Sequence, residues 1–297
     1  MRVIDLTGHL PGGTSPPYVE TIGPEGPNRL PMPDGYGFAN YDRIFTSSSS
    51  SREAEPDTRP IAERAAEMIA LMDEANVDRC VLRTGSNAIA SEVVSLFPSR
   101  VMGFAHLSPY DGMRAVRELE RLVREERFGG LSVSSLYDQV RASDARYYPL
   151  YAKCVELAIP VRIYTAMTYA NDRPYDLGHP RELDRVAIDF PELKIVAGLA
   201  GWPWVNEMVA LIRRHPNLYV DTGAHRPRHF ATKGSGWEQF LQFGNTLLQD
   251  KVMVGLSAAA FGMTMEEEIK EYLELPLKDS VKEKWLYHNA ARFFEIT

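Results

Sequence analysis

The chain has 297 residues, 44% of them hydrophobic and 25% charged, with a formal net charge of −7 and two cysteines, a composition that allows a substantial buried core in one large α/β domain or two small ones. The acidic balance comes without a clustered basic face or an Arg/Lys run, which argues against a nucleic-acid partner. There is no apolar stretch of about 18 residues, and the opening MRVIDLTGHLPGG turns polar too soon for a secretory signal, so the expectation is a cytoplasmic protein with no membrane partner.

The first strand-like run is RVIDL, residues 2–6, and it leads into VIDLTGHLPGG, where Asp5, Thr7 and His9 alternate and so share one face of an extended segment. Residues 10–60 interrupt the pattern with many Pro and Gly residues, the aromatic stretch GYGFANYDRIF and a serine run from Ser47 to Ser51. A connection this long reads as a partly disordered excursion or a lid over the barrel mouth, and the lid is favoured because Tyr36, Phe38, Tyr41 and Phe45 are costly to leave in water. A helix follows, with Ile61, Ala65, Met68, Ile69 and Met72 at the spacing of one helical face.

Further strand-like runs occupy 79–83, 100–105, 129–133, 160–164, 193–198, 218–222 and 251–256, with amphipathic stretches between them such as Val116, Leu119, Leu122 and Val123. Eight strands alternating with helices most simply close into a (β/α)8 TIM barrel, distorted by the insertion after strand 1, with residues 1–297 as one domain. An open doubly wound sheet is the alternative, but no G-x-G-x-x-G turn follows the first strand. Cys80 lies in a strand-like run and Cys154 in a helix-like one, so both read as small core residues.

Barrel enzymes carry their chemistry at the C-terminal strand ends. Those ends supply Thr7, His9, Arg83, His106, Ser132, Ser134, Arg162, Tyr164, Gly198, Asp221, Ser257 and, just beyond, His225. Asp221 reads first as a residue fixing the loop that carries His225. Trp202 and Trp204, around Pro203, suit stacking on a flat substrate or packing on a second subunit. His179 before Pro180 reads as a loop or capping residue, and His288 as part of a C-terminal helix beneath the barrel.

Several stretches carry a resemblance: VIDLTGHL, MDEANVDRCVL, FPSRVMGFAHLSP, YYPLYAKCVELAIPVRIYT, HPRELDRVAIDFPELKIVAGLAGWPWVNEMVALIRRHPNLYVDTGA, DKVMVGLSAAAF and KWLYHNAARFF. In this order they resemble the amidohydrolase-related family, in the branch similar to aminocarboxymuconate-semialdehyde decarboxylase and the resorcylate-type decarboxylases. The resemblance implies a divalent metal held by a first-strand pair, histidines after strands 5 and 6, and an aspartate after strand 8. Those positions fall here on Thr7 and His9, on Tyr164, on Gly198 and on Ser257, so that His9 alone is a good ligand. The expectation is therefore a site without metal or other cofactor. The resemblance also implies a homodimer.

His9, with Tyr164 and Asp5, then forms the candidate catalytic set. His9 is suited to general acid/base work near neutrality and Tyr164 to donating to an oxyanion or a carbanion. Arg83 and Arg162 suit the clamping of a small acidic substrate, with His106, His225, Ser134, Trp202 and Ser257 as further binding residues. Arg162 equally suits a buried ion pair with Asp5. Three functions stay open: metal-independent lyase, isomerase or lactonase chemistry; a silent barrel binding a ligand or a protein; and a hydrolase with a rebuilt metal site at His9, His106 and His225.

Overall fold

Strand β1, Val3–Gly8, is buried along its whole length, as expected for a run whose residues face packed material on both sides. The computed structural model describes residues 1–12 and 57–296. The expected lid at 10–60, with its aromatic patch and serine run, lies almost wholly outside the described residues. The remaining strands are β2 (Val77–Leu82), β3 (Val101–His106), β4 (Gly130–Val133), β5 (Val161–Tyr164), β6 (Ile195–Gly198), β7 (Leu218–Asp221) and β8 (Val252–Met253). Each pairs in parallel with the next, in chain order. Leu6 N–H donates to the Val254 carbonyl at 3.0 Å, which brings the last strand back to the first. Sequential order with parallel pairing is that of a (β/α)8 barrel and not of an open doubly wound sheet.

Helix α1 (Ile61–Glu74) buries Ala65, Met68 and Met72, and helix α3 (Met113–Glu126), which follows α2 (Asn87–Leu96), buries Ala115, Val116, Leu119 and Leu122. These stripes pack on the outer faces of the strands in one continuous cluster that also takes in Cys80 and Cys154, both free thiols in the core. A second cluster fills the barrel axis with Ile4, Leu6, Val81, Phe104, Val196 and Met253. It is capped by Ala290 and Phe293 of the C-terminal helical segment. Arg2, ahead of β1, lies over the Tyr287 ring, and Lys194, ahead of β6, donates to the Phe293 carbonyl, so this segment closes the N-terminal end of the barrel. The opposite end is left for chemistry. Among the described residues no helix is long and apolar enough to cross a membrane.

Candidate active site

Alternation along β5 sends Arg162 and Tyr164 to the barrel interior, one above the other toward the mouth. Arg162 is almost completely buried, and its Nε donates to Asp221 Oδ2 at 2.6 Å. Its partner is thus the β7 aspartate and not Asp5, a correction to the ion pair considered above. The other oxygen of Asp221 accepts from Leu199 N at 3.1 Å and Gly223 N at 3.0 Å, fixing the turns after β6 and β7 together. Leu199 and Ala200 both adopt positive φ in that β6 turn, a strained geometry for side-chain-bearing residues that the Asp221 contact helps to hold.

Arg162 Nη2 is buried with no hydrogen-bond partner among the described residues. Burial holds the guanidinium below its ordinary pKa, an effect that Asp221 opposes and the charge of Arg83 reinforces. The guanidinium lies against Gly198, where an added Cβ would come within 2.7 Å of Nη2. Glycine at the end of β6 is therefore what gives Arg162 its room. Arg83, His106, Ser132, Ser134, Tyr137, Arg162 and Tyr164 line a slot of about 20 Å³, enough for one water-sized group. His106 is held by a reciprocal clamp on its backbone: its N–H donates to Asn87 Oδ1 at 2.8 Å, and Asn87 Nδ2 donates to its carbonyl at 2.9 Å. Burial, then the nearby charge of Arg83, pushes the His106 imidazole down to about 4. The Tyr164 hydroxyl donates to the Met167 carbonyl at 2.7 Å. Ser134 begins the short helix α4 (Ser135–Asp138), taking Asp138 N–H on its carbonyl at 2.9 Å.

Asp5 and His9 open onto a different cleft, between β1, the C-terminal end of α1 and the chain that follows β8, of about 240 Å³. His9 is exposed at the edge of this cleft, yet the protein around its ring is dense enough to desolvate it. That desolvation, followed by the charges of Arg83 and Arg162, pushes His9 down to about 4, against a contact with the Thr7 backbone. It is therefore a neutral imidazole at pH 7. Asp5 Oδ1 accepts from Thr7 N at 2.8 Å and from Leu256 N at 2.7 Å. The Thr7 hydroxyl lies 3.1 Å from the same oxygen and 2.8 Å from the Leu256 carbonyl. Burial raises Asp5 to about 7 despite these donors.

One functional group at this end was missed by sequence reasoning. Helix α10 (Met265–Leu273), which follows the short α9 (Ala258–Phe261), turns Glu268 inward, and its Oε2 accepts from Ser257 N at 2.9 Å. Glu268 is fully buried, Oε1 has no partner among the described residues, and burial followed by the charge of Asp5 raises the carboxyl to about 9. The signal was present: Met265, Glu268, Ile269 and Tyr272 stand at helical spacing on one stripe, and a carboxyl there belongs to the core face. Ser257 Oγ accepts from Ala224 N at 2.8 Å and does not line the slot.

A third cleft, of about 310 Å³, lies over the ends of β5 to β8 and takes Trp202 and His225 along with Tyr169, Phe230, Trp237 and Phe261. The expected site residues thus share one end of the barrel but divide among three neighbouring clefts. His9, His106 and His225 line three different ones. Among the described residues no group of three or more His, Cys, Asp or Glu side chains is placed to hold a metal ion. The positions implied by the resemblance do not fit one either: the hydroxyls of Thr7, Tyr164 and Ser257 are engaged with backbone groups, and Gly198 makes way for a guanidinium. His179 and His288 are where expected, His179 Nδ1 accepting from Arg181 N at 3.2 Å and His288 in the C-terminal segment.

Comparison with known proteins places this geometry in a family. A family model described as Amidohydrolase matches residues 42–296. No curated protein matches the chain. An uncharacterised TIM-barrel protein of Bordetella bronchiseptica is similar in structure with a TM-score of 0.71 and 23% identity, over 99% of each chain. A 5-carboxyvanillate decarboxylase of Sphingomonas paucimobilis aligns with a TM-score of 0.62 and 18% identity over 100% of this chain and 99% of that one. A 4-oxalomesaconate hydratase of Rhodopseudomonas palustris aligns with a TM-score of 0.61 and 19% identity over 99% of this chain and 95% of that one. At these identities the similarity establishes the barrel, and the family match over most of the sequence establishes the rest: the chain belongs to the amidohydrolase family.

Proposed function

We propose that this protein is a lyase acting on a small acidic substrate, cyclic or aromatic, by acid/base chemistry that needs no metal. The observation that carries the reading is Arg162, a buried guanidinium whose Nη2 has no partner among the described residues and which shares a narrow slot with Arg83. Two cations that face a space wide enough for one water-sized group suit the end of a carboxylate, which takes paired donors well. The decarboxylase and hydratase activities of the structural neighbours are both lyase reactions on acids, which agrees with this chemistry.

His9 is the proton carrier in this scheme: it opens onto the neighbouring cleft, near enough to the slot for the charges of Arg83 and Arg162 to act on it, and the part of the substrate outside the slot would have to reach it. In the free protein Arg83 and Arg162 help to hold it neutral, so it begins as a base. An anionic substrate neutralises those charges, raises the affinity of His9 for a proton and so strengthens it as the group that takes up and returns one. Tyr164 must release the Met167 carbonyl to donate to the substrate. Asp5 holds the strand end that carries His9 and enters as a positioning residue. Arg162 supplies the fixed positive charge at the slot, with Asp221 setting its orientation.

The test is turnover of a panel of aromatic and cyclic carboxylic acids, before and after dialysis against a chelator. Activity should survive chelation, fall by about 100-fold or more in His9→Ala and fall less in Tyr164→Phe. Activity lost on chelation and restored by zinc or manganese would sink the reading. The acid limb of kcat/KM should lie near pH 4 and move to higher pH in Arg83→Gln, because that variant removes a cation that depresses His9. A silent, ligand-binding barrel is the second reading, favoured by the engagement of the Tyr164 hydroxyl with Met167; saturable binding of the same acids without turnover would support it.

A further inference from the structure

The aromatic cleft over β5 to β8 is separate from the slot that holds Arg83 and Arg162, and the reaction proposed above does not use it. Its walls are built in stacked layers. Tyr169 and Trp202 stack at 6.0 Å with 12° between their planes, and Phe230 and Trp237 stack at 4.0 Å with 19° between theirs. Between these layers stands the His225 ring, 5.7 Å from Trp202 and 5.3 Å from Trp237, with Phe261 on another side of the opening.

The Leu199 backbone lies beside His225 and favours a proton on the ring. Nε2 is buried with no partner among the described residues, and with the ring proton assigned to Nδ1 it presents its lone pair to the cleft. Burial pushes His225 down to about 4 against the charge of Asp221, so the ring is neutral at pH 7. Leu199 belongs to the strained turn held by Asp221. A buried acceptor with nothing to accept costs about 1–3 kcal/mol, an expense that is recovered when a bound group donates to it. The other polar side chains of the cleft are occupied or peripheral: Arg226 is paired with Glu271, Ser235 Oγ donates to the Phe230 carbonyl, and His229 lies toward the rim.

We propose that this cleft is a binding site for a flat, uncharged ring whose edge carries one N–H or O–H donor, with the ring between the aromatic walls and the donor on His225 Nε2. The volume of about 310 Å³ suits one or two fused rings. Stacking supplies the affinity and the lone pair of His225 supplies orientation. A carboxylate is disfavoured here, since it would present a second acceptor to Nε2 and lose its hydration among aromatic faces.

Trp202 and Trp237 provide the readout. Phenol, indole, benzoate and cyclohexanol are titrated into the intact protein, with binding followed by tryptophan fluorescence and, for indole, by calorimetry. Phenol and indole should bind saturably, and the ratio of their affinities identifies the edge donor. Both should weaken at least tenfold in His225→Phe, which keeps a ring but removes the acceptor, and in Phe261→Ala, a half-buried position whose truncation spares the core. Cyclohexanol should bind at least tenfold more weakly than phenol. Benzoate should depend on Arg162 and be indifferent to His225→Phe, so that failure of the carboxylate slot and failure of this cleft are told apart. Equal binding of cyclohexanol and phenol, or phenol binding unchanged in both variants, overturns the proposal.

Discussion

Arg162 and Gly198 show how single residues set the character of the mouth. The guanidinium can lie flat because residue 198 has no side chain, and a Cβ there would sit 2.7 Å from Nη2 and 2.8 Å from Cζ. Gly198→Ala should therefore displace Arg162 and weaken benzoate binding at least tenfold, measured by calorimetry, while leaving the fold intact by circular dichroism; unchanged benzoate affinity would remove Arg162 from the slot. The arginine and its inward face were legible from the alternation of VRIY, but its partner was not. Barrel layers are filled from alternate strands, and Arg162 on β5 meets Asp221 on β7 in one such layer. Alternation within one strand identifies a face; it does not say which distant strand contributes the neighbour. On β1 the expected shared face of Asp5, Thr7 and His9 is seen in the Thr7 hydroxyl 3.1 Å from Asp5 Oδ1 and in the one cleft that Asp5 and His9 line, even though the pairing with β2 shifts register between Asp5 and Gly8. Leu6 joins the axial cluster, while the Thr7 methyl lies where a Cβ on Gly223 or Gly255 would come within 2.9 Å.

At the scale of elements, helix α10 is what delivers Glu268. Thr264 accepts from Glu267 N at 3.2 Å, and the Glu267 side chain accepts from Thr264 N at 2.8 Å, a reciprocal cap that sets the start and rotation of the helix. Buried Ile269 and Tyr272 lock the same face, with Tyr272 hydroxyl against Thr222 at 2.5 Å. Thr264→Ala should cost about 1 kcal/mol in denaturant unfolding, and no loss would mean that the core face alone holds the helix. Strand positions were the most legible feature of the chain, because each is a short apolar run between amphipathic helices. Strand ends were less so: β8 is limited to Val252–Met253, although the apolar run continues to Leu256, because past Met253 the chain bonds to β1 and to Asp5.

The whole molecule carries a pH dependence that follows from its buried groups. Asp5 and Asp138, raised to about 7, and Glu268, raised to about 9, keep protons in the folded state that the unfolded chain releases near 4. Their contribution to stability is lost as pH rises through those windows. His9, His106 and His225, all lowered to about 4 from 6.5, work in the opposite sense, adding stability as pH rises from 4 to 6.5. The two sets offset each other up to about pH 6.5. Above it Glu268 dominates, until Lys251, lowered to about 8, begins to oppose it. Stability should thus be level between pH 4.5 and 6.5 and decline on the order of 1 kcal/mol per pH unit from there to 8. Glu268→Gln, which keeps an acceptor for Ser257 but cannot ionise, should flatten the decline; urea titrations at pH 5, 6.5 and 8 check this, and an equally steep decline in the variant would place its origin elsewhere.

The bond from Leu256 to Asp5 spans 251 residues of chain. A ribosome must therefore add some 251 residues after Asp5 before the first strand can satisfy its own carboxylate. Until then Asp5 keeps its water, and β1 has no reason to leave solvent on that edge. The seam acts as a completion check: fragments that stop short of β8 carry an open first strand with an unsatisfied acid, a state open to proteolysis, and folding that waits on so distant a contact is slow.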